Sequence, residues 1–230
     1  MNPLNIKGVV FDFDATLVNL GEHVRWREAQ QQIIKTYSEN GCSDSDITKC
    51  SSKGLFNLMY EMDTLLSASK PPVEMAMIRE SIWVILDKYE MEGVERCGLM
   101  PGTNESLNWL RDNCVKMGVC TSNSGNVAKK ILDNLGVSCY FDSVIGRTIG
   151  LRMKPYPDQV LECFKGIGIS PREGVMVGDS HNDVLAAKAA GARAIAIPVY
   201  FTRKEAMEAA RPDAVITSMM ELPKVLLTFK

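Results

Sequence analysis

What this sequence lacks narrows its function before any motif is read. It has only two histidines, and its seven cysteines never occur as C-x-x-C, so neither a zinc-ligand spacing nor a disulfide framework is present. The odd set Cys42, Cys50, Cys97, Cys114, Cys120, Cys139 and Cys163 reads instead as reduced, mostly buried thiols of a cytoplasmic protein. Charge of neither sign dominates: the formal net charge is −2 over 230 residues, which leaves no footprint for nucleic acid or an anionic membrane. Apolar runs all fall short of the ~18 residues that would suggest a membrane span, and no signal peptide is expected ahead of the first strand. Repeats and low-complexity tracts are missing as well. What remains is a chain 46% hydrophobic and 23% charged, suited to one large domain or a core with an inserted module.

The first organised stretch is Gly8-Val-Val-Phe11, a short β-branched and aromatic run that reads as a buried central strand. It ends in Asp12 and Asp14, two carboxylates one residue apart, followed by Ala15 and Thr16. Acidic groups are costly at the end of a buried strand unless something pairs with them. In an α/β sheet such a cluster belongs in the crevice outside the carboxyl ends of the strands. Strand–helix alternation then stops. Periodicity predicts helices over 22–39, 44–49, 55–66 and 73–89, the first closed by Asn40-Gly41, with no strand among them.

The alternating pattern resumes after Gly98. Thr103 is expected to cap a helix running to Asp112, and Ser124 another ending near Leu135-Gly136. Strands are expected over 115–121, 141–145, 174–178, 193–197 and 214–216. Helices fall between them, one with Pro157 in its first turn and one at 204–210, and a last at 222–228. Strands that alternate with helices through short loops give a parallel, doubly wound, Rossmann-like sheet.

Three of these strand ends carry chemistry. Thr121-Ser122-Asn123 stands where a strand hands over to a helix, a place suited to holding a phosphate. Lys154 lies between Met153 and the stiffening pair Pro155 and Pro157, which aim its ammonium group. Gly178-Asp179-Ser180-His181-Asn182-Asp183 ends another buried strand with two more carboxylates, and four in one chain call for a cation. Neither His23 nor His181 is given a catalytic role.

The run Asp12-Phe-Asp14-Ala-Thr16 resembles the first signature of the haloacid dehalogenase-like hydrolases, mostly Mg²⁺-dependent phosphatases. The other three stretches resemble that family's second, third and fourth motifs, in order. One departure is Ala15, where the family usually has Gly; it constrains any positive φ there. The resemblance implies a Rossmann-like core over 1–20 and 93–230 with an all-helical cap domain over 21–92, as in the phosphoglycolate phosphatase-like branch. It implies Asp12 as nucleophile and Asp14 as general acid and base. Thr121, Ser122, Asn123 and Lys154 would then bind the phosphoryl group. Asp12, the backbone of Asp14 and Asp179 would hold Mg²⁺, with Asp183 in support. The substrate expected is a small phosphate ester, phosphoglycolate first, with neither nucleic acid nor membrane as partner. A β-phosphoglucomutase-like mutase and a phospho-aspartate receiver or binding module are the rival readings.

Overall fold

A computed structural model of the chain describes residues 4–51, 54–198 and 204–229. It divides into two compact units, one of Met1–His23 with Val94–Lys230 and one of Val24–Gly93.

The larger unit is built on six parallel strands: β1 (Gly8–Phe11), β2 (Lys116–Cys120), β3 (Ser143–Ile145), β4 (Gly174–Gly178), β5 (Arg193–Ala196) and β6 (Ala214–Val215). Their spatial order is β3-β2-β1-β4-β5-β6. The chain therefore winds outward from β1 to one edge, then returns to the other side of β1 and winds outward again. That reversal beside β1 is the switch point of a doubly wound sheet, where ligands bind outside the carboxyl ends.

Every residue of β1 is buried, as a strand covered on both faces must be. Because side chains alternate, Val10 joins Met176, Cys120 and Ala194 on one face of the sheet. That face packs against Val160, Cys163 and Phe164 of α7 (Asp158–Gly166) and Val184 and Ala187 of α8 (His181–Ala190). Elsewhere α5 (Thr103–Asp112) packs along β2 and α6 (Gly125–Asn134) along β3. The remaining helices of this unit are α9 (Lys204–Ala210) and α10 (Leu222–Leu226).

The smaller unit is helical: α1 (Trp26–Glu39), α2 (Asp44–Ser51), α3 (Leu55–Ser67) and α4 (Pro72–Gly93). Ala29, Ile33 and Tyr37 of α1 bury with Leu58 and Met62 of α3 and with Met75, Ile78, Ile82 and Leu86 of α4. The buried Tyr37 hydroxyl donates to Asp63 (2.9 Å), and Asp63 also takes Arg79 (2.7 Å), so this core's polar group is paired. No helix among the described residues is long and apolar enough to cross a membrane.

Three local expectations change, the smallest being that Pro157 stands just before α7 and not in its first turn. The helix expected over 22–39 is split: a 3-10 turn covers Leu20–His23, and α1 starts only at Trp26. Thr103 is the first residue of α5 and not its cap. Gly102, at φ 83°, takes the capping position, and the buried Thr103 hydroxyl turns toward the Leu17 carbonyl. At Ala15 the backbone does take a positive φ, 62°, which costs an L-residue about 1–2 kcal/mol.

Candidate active site

The strand registers assemble the site. Phe11 of β1 pairs with Val119 of β2 on one side and Val177 of β4 on the other. Running one or two residues past each strand end brings Asp12, Thr121 and Asp179 to the same edge, with Asp12 central. Asp12 is fixed there by its own N–H, which donates to the Val177 carbonyl (2.8 Å).

Lys154 reaches this edge from the loop before α7, and its side chain is only 5% exposed. Its ammonium group has three protons and three partners: Asp12 Oδ1, Asp183 Oδ1 (2.5 Å) and the Cys120 carbonyl (3.1 Å). The Asp183 contact is an ion pair, and Asp183 Oδ1 accepts no hydrogen bond. Asp183 also closes the N-terminus of α8. Its Oδ2 accepts the Ser180 N–H (2.9 Å) and hydroxyl (2.6 Å), while Ser180 Oγ accepts the Asp183 N–H (3.3 Å), a reciprocal capping box. Gly178 makes this approach possible, since a Cβ there would overlap the Asp183 carboxylate.

Asp12, Asp179 and Asp183 offer carboxylate oxygens that all lie within 4.8 Å of one another. Three carboxylates face one lysine in a dry place. Burial, helped by the Asp183 charge and opposed by Lys154, pushes Asp12 up to about 7. Burial together with the Asp12 and Asp183 charges pushes Asp179 up to about 8. Lys154 is raised as well by its two carboxylate partners, against its own burial, so the lysine stays cationic. An all-oxygen donor set with a surplus of negative charge fits a hard divalent cation.

Asp14 lies near this group, its charge being one of those that raise Asp179. Its carboxylate accepts the Gly21 N–H at 2.7 Å and lies beside the Cys97 thiol, which burial and then this charge push up to about 12. Thr121 is buried, and its hydroxyl donates to Asn123 Oδ1 (2.9 Å) while accepting the Asn123 N–H (3.0 Å). Ser122 is half-buried next to it.

Two residues of this region were not singled out from the sequence. Gln159 is fully buried, and its Nε2 donates to the carbonyls of Thr121 (3.1 Å) and Gly146 (2.8 Å). The buried Arg147 donates from NH1 to the Ser122 carbonyl (2.8 Å) and from its backbone to Asn123 (2.9 Å). Between them they hold the carbonyls of 121–123. A glutamine in a first helical turn and an arginine in a loop carry no sequence signal for this task.

Comparison with known proteins supplies the family. The haloacid dehalogenase-like hydrolase profile matches residues 9–197, which contain all the residues just described. The chain belongs to the haloacid dehalogenase-like hydrolases. It is similar to a phosphoglycolate phosphatase of Nitrosococcus oceani, 30% identical over 68% of this chain and 69% of that one. A putative pyrophosphatase of Clostridium perfringens is 28% identical over 94% and 95% of the two chains. Among solved structures, a putative haloacid dehalogenase-like hydrolase from Bacteroides fragilis superposes with a TM-score of 0.69 at 21% identity, covering 94% of this chain and 99% of that one. The last likeness establishes the fold, and the haloacid dehalogenase-like profile establishes the family.

Proposed function

We propose that this chain, a phosphatase of the haloacid dehalogenase-like family, cleaves a small phosphate monoester with Asp12 as nucleophile. The observation that carries the reading is the Lys154 ammonium held between Asp12 and Asp183 at the switch point, with Asp179 alongside. Asp12, Asp179 and the backbone carbonyl of Asp14 would hold Mg²⁺. When bound, the ion supplies charge neutralisation between an anionic nucleophile and an anionic ester.

The residues then divide the work. Asp12 attacks phosphorus, forming an Oδ–P bond as the ester P–O bond breaks. Asp14 gives its proton to the departing oxygen. A water then attacks phosphorus, loses its proton to Asp14, and releases Asp12 and inorganic phosphate. Lys154, Thr121, Ser122 and Asn123 bind the phosphoryl oxygens, and Asp183 keeps Lys154 aimed. Phosphoryl transfer needs little more than this positioning and charge balance.

The helical unit Val24–Gly93 acts in this proposal as a cap that governs which ester is accepted, the chemistry residing in Met1–His23 and Val94–Lys230. Arg25 is already tied to Glu92 through two hydrogen bonds (2.9 and 2.7 Å), so the exposed Arg27 is the better position at which to alter selection. A cytoplasmic location goes with the free cysteines. Phosphoglycolate is the first substrate on the strength of the Nitrosococcus relative's name, and the Clostridium relative's name adds pyrophosphate. The test is a panel of phosphorylated metabolites with Mg²⁺ and with chelator. We expect one small ester to dominate in kcat/KM, loss of activity on chelation, and a hydroxylamine-labile acyl phosphate on Asp12 after acid quench. Full turnover after metal stripping, or no turnover of any ester, overturns the reading.

A further inference from the structure

We infer that Gly21 is a positioning residue for Asp14, an inference that rests on the acid–base role proposed above. Two observations at one place carry it. The Gly21 N–H donates to Asp14 Oδ1 at 2.7 Å, from seven residues further along the chain. A Cβ built on Gly21 would stand 2.7 Å from Asp14 Oδ2, and its three nearest neighbours are all atoms of the Asp14 carboxyl group.

The glycine is not there for its backbone. Its φ lies outside the left-handed region that favours glycine, unlike that of Gly41 or Gly102, so alanine would fit the main chain without strain. It lies in the 3-10 turn Leu20–His23, where alanine is the better residue by propensity. A methyl group at 21 meets nothing within 4 Å closer than that carboxylate. The missing side chain is thus room for Asp14, and the N–H beneath it sets the rotamer. A proton donor must stand within hydrogen-bond reach of the oxygen it serves, and a displacement of about 1 Å can cost on the order of a hundredfold.

The test compares Gly21→Ala, Asp14→Asn and the double variant on an alkyl phosphate and on p-nitrophenyl phosphate, whose leaving group needs no proton. Gly21→Ala should lower kcat on the alkyl ester at least tenfold with KM within threefold of wild type. On the aryl ester the first turnover should keep its wild-type rate. Added to Asp14→Asn, it should cost less than a further twofold, because its effect runs through that side chain. Equal losses of the first-turnover rate on both esters, full additivity with Asp14→Asn, or wild-type turnover overturns the inference. Wild-type turnover by Asp14→Asn itself overturns the acid–base reading and this inference with it. Should Gly21→Ala not fold, Gly21→Ala/Asp14→Ala removes the collision and must fold; if it does not, the glycine is structural and the inference fails.

Discussion

Lys154 and the carboxylates around it make the site's electrostatics a question of individual residues. Asp12 and Asp179 sit near 7 and 8 instead of 3.8, each chiefly because burial penalises the charged form. A raised carboxylate pKa means that the folded chain holds protons the unfolded chain has already released. This pair therefore makes stability fall as pH rises from about 4 to about 8. Lys154 is also raised, so its contribution is fully present below its ordinary 10.5 and adds no slope in that range. A divalent cation held there would replace the protons as counter-charge. We expect the metal-free protein to melt at lower temperature at pH 8.5 than at pH 5, and Mg²⁺ to raise the midpoint more at pH 8.5. Thermal melts with chelator and with Mg²⁺ at both pH values check this. A Mg²⁺ effect of equal size at both would mean that the ion does not take the place of those protons.

Among the elements, α8 joins stability to chemistry, because Asp183 both closes its capping box and faces Lys154. Ser180→Ala removes only part of the box and should cost about 1 kcal/mol, with activity down less than tenfold. Asp183→Ala removes the box and one of two counter-charges on a buried ammonium, so its cost should be larger, about 3 kcal/mol, with activity down at least a hundredfold. Urea unfolding and steady-state rates of the two variants separate the jobs; matched losses of activity would mean that the cap, not the Lys154 contact, is what matters. Much of this was legible in the sequence. A four-residue apolar strand ending in Asp12 announces both its burial and its acidic end, and the parallel sheet follows from alternation with helices. The placement of Gln159 and Arg147 was not legible, because their partners are backbone carbonyls and any donor of the right length would look the same in sequence. The turn of Asp14 toward Gly21 was hidden for a similar reason: its partner is an N–H, which every residue but proline has. Thr103 looked like a cap because its type favours that position, but its hydroxyl is buried and Gly102 takes the left-handed bend.

For the molecule as a whole, the two chain crossings that bound the helical unit run antiparallel, side by side, within the larger unit. Val18 bridges Leu99, the Asn19 N–H donates to the Gly98 carbonyl (3.1 Å), Asn19 Oδ1 accepts the Gly98 N–H (2.8 Å), and Arg96 donates to the His23 carbonyl (2.8 Å). The larger unit therefore closes on itself without residues 24–93. A chain with a short Gly-Ser linker in their place should fold cooperatively and keep its Mg²⁺-dependent melting shift. It should still turn over p-nitrophenyl phosphate slowly, with the ranking among metabolites flattened. Retention of the full ranking would remove the helical unit from substrate selection. The sheet order has a consequence for synthesis too. β1 pairs with β2 and β4, but β4 is finished only at residue 178, so one edge of a wholly apolar strand waits on the ribosome for its neighbour. From residue 11 to residue 178 is 167 residues, or roughly 8–30 seconds at ordinary rates of elongation. Through that interval the nascent strand is a template for wrong pairing with other chains, and the charges that follow it at once, Asp12 and Asp14, act as gatekeepers against aggregation. Asp12, whose burial costs stability in the finished fold, helps to protect its first strand while it is still alone.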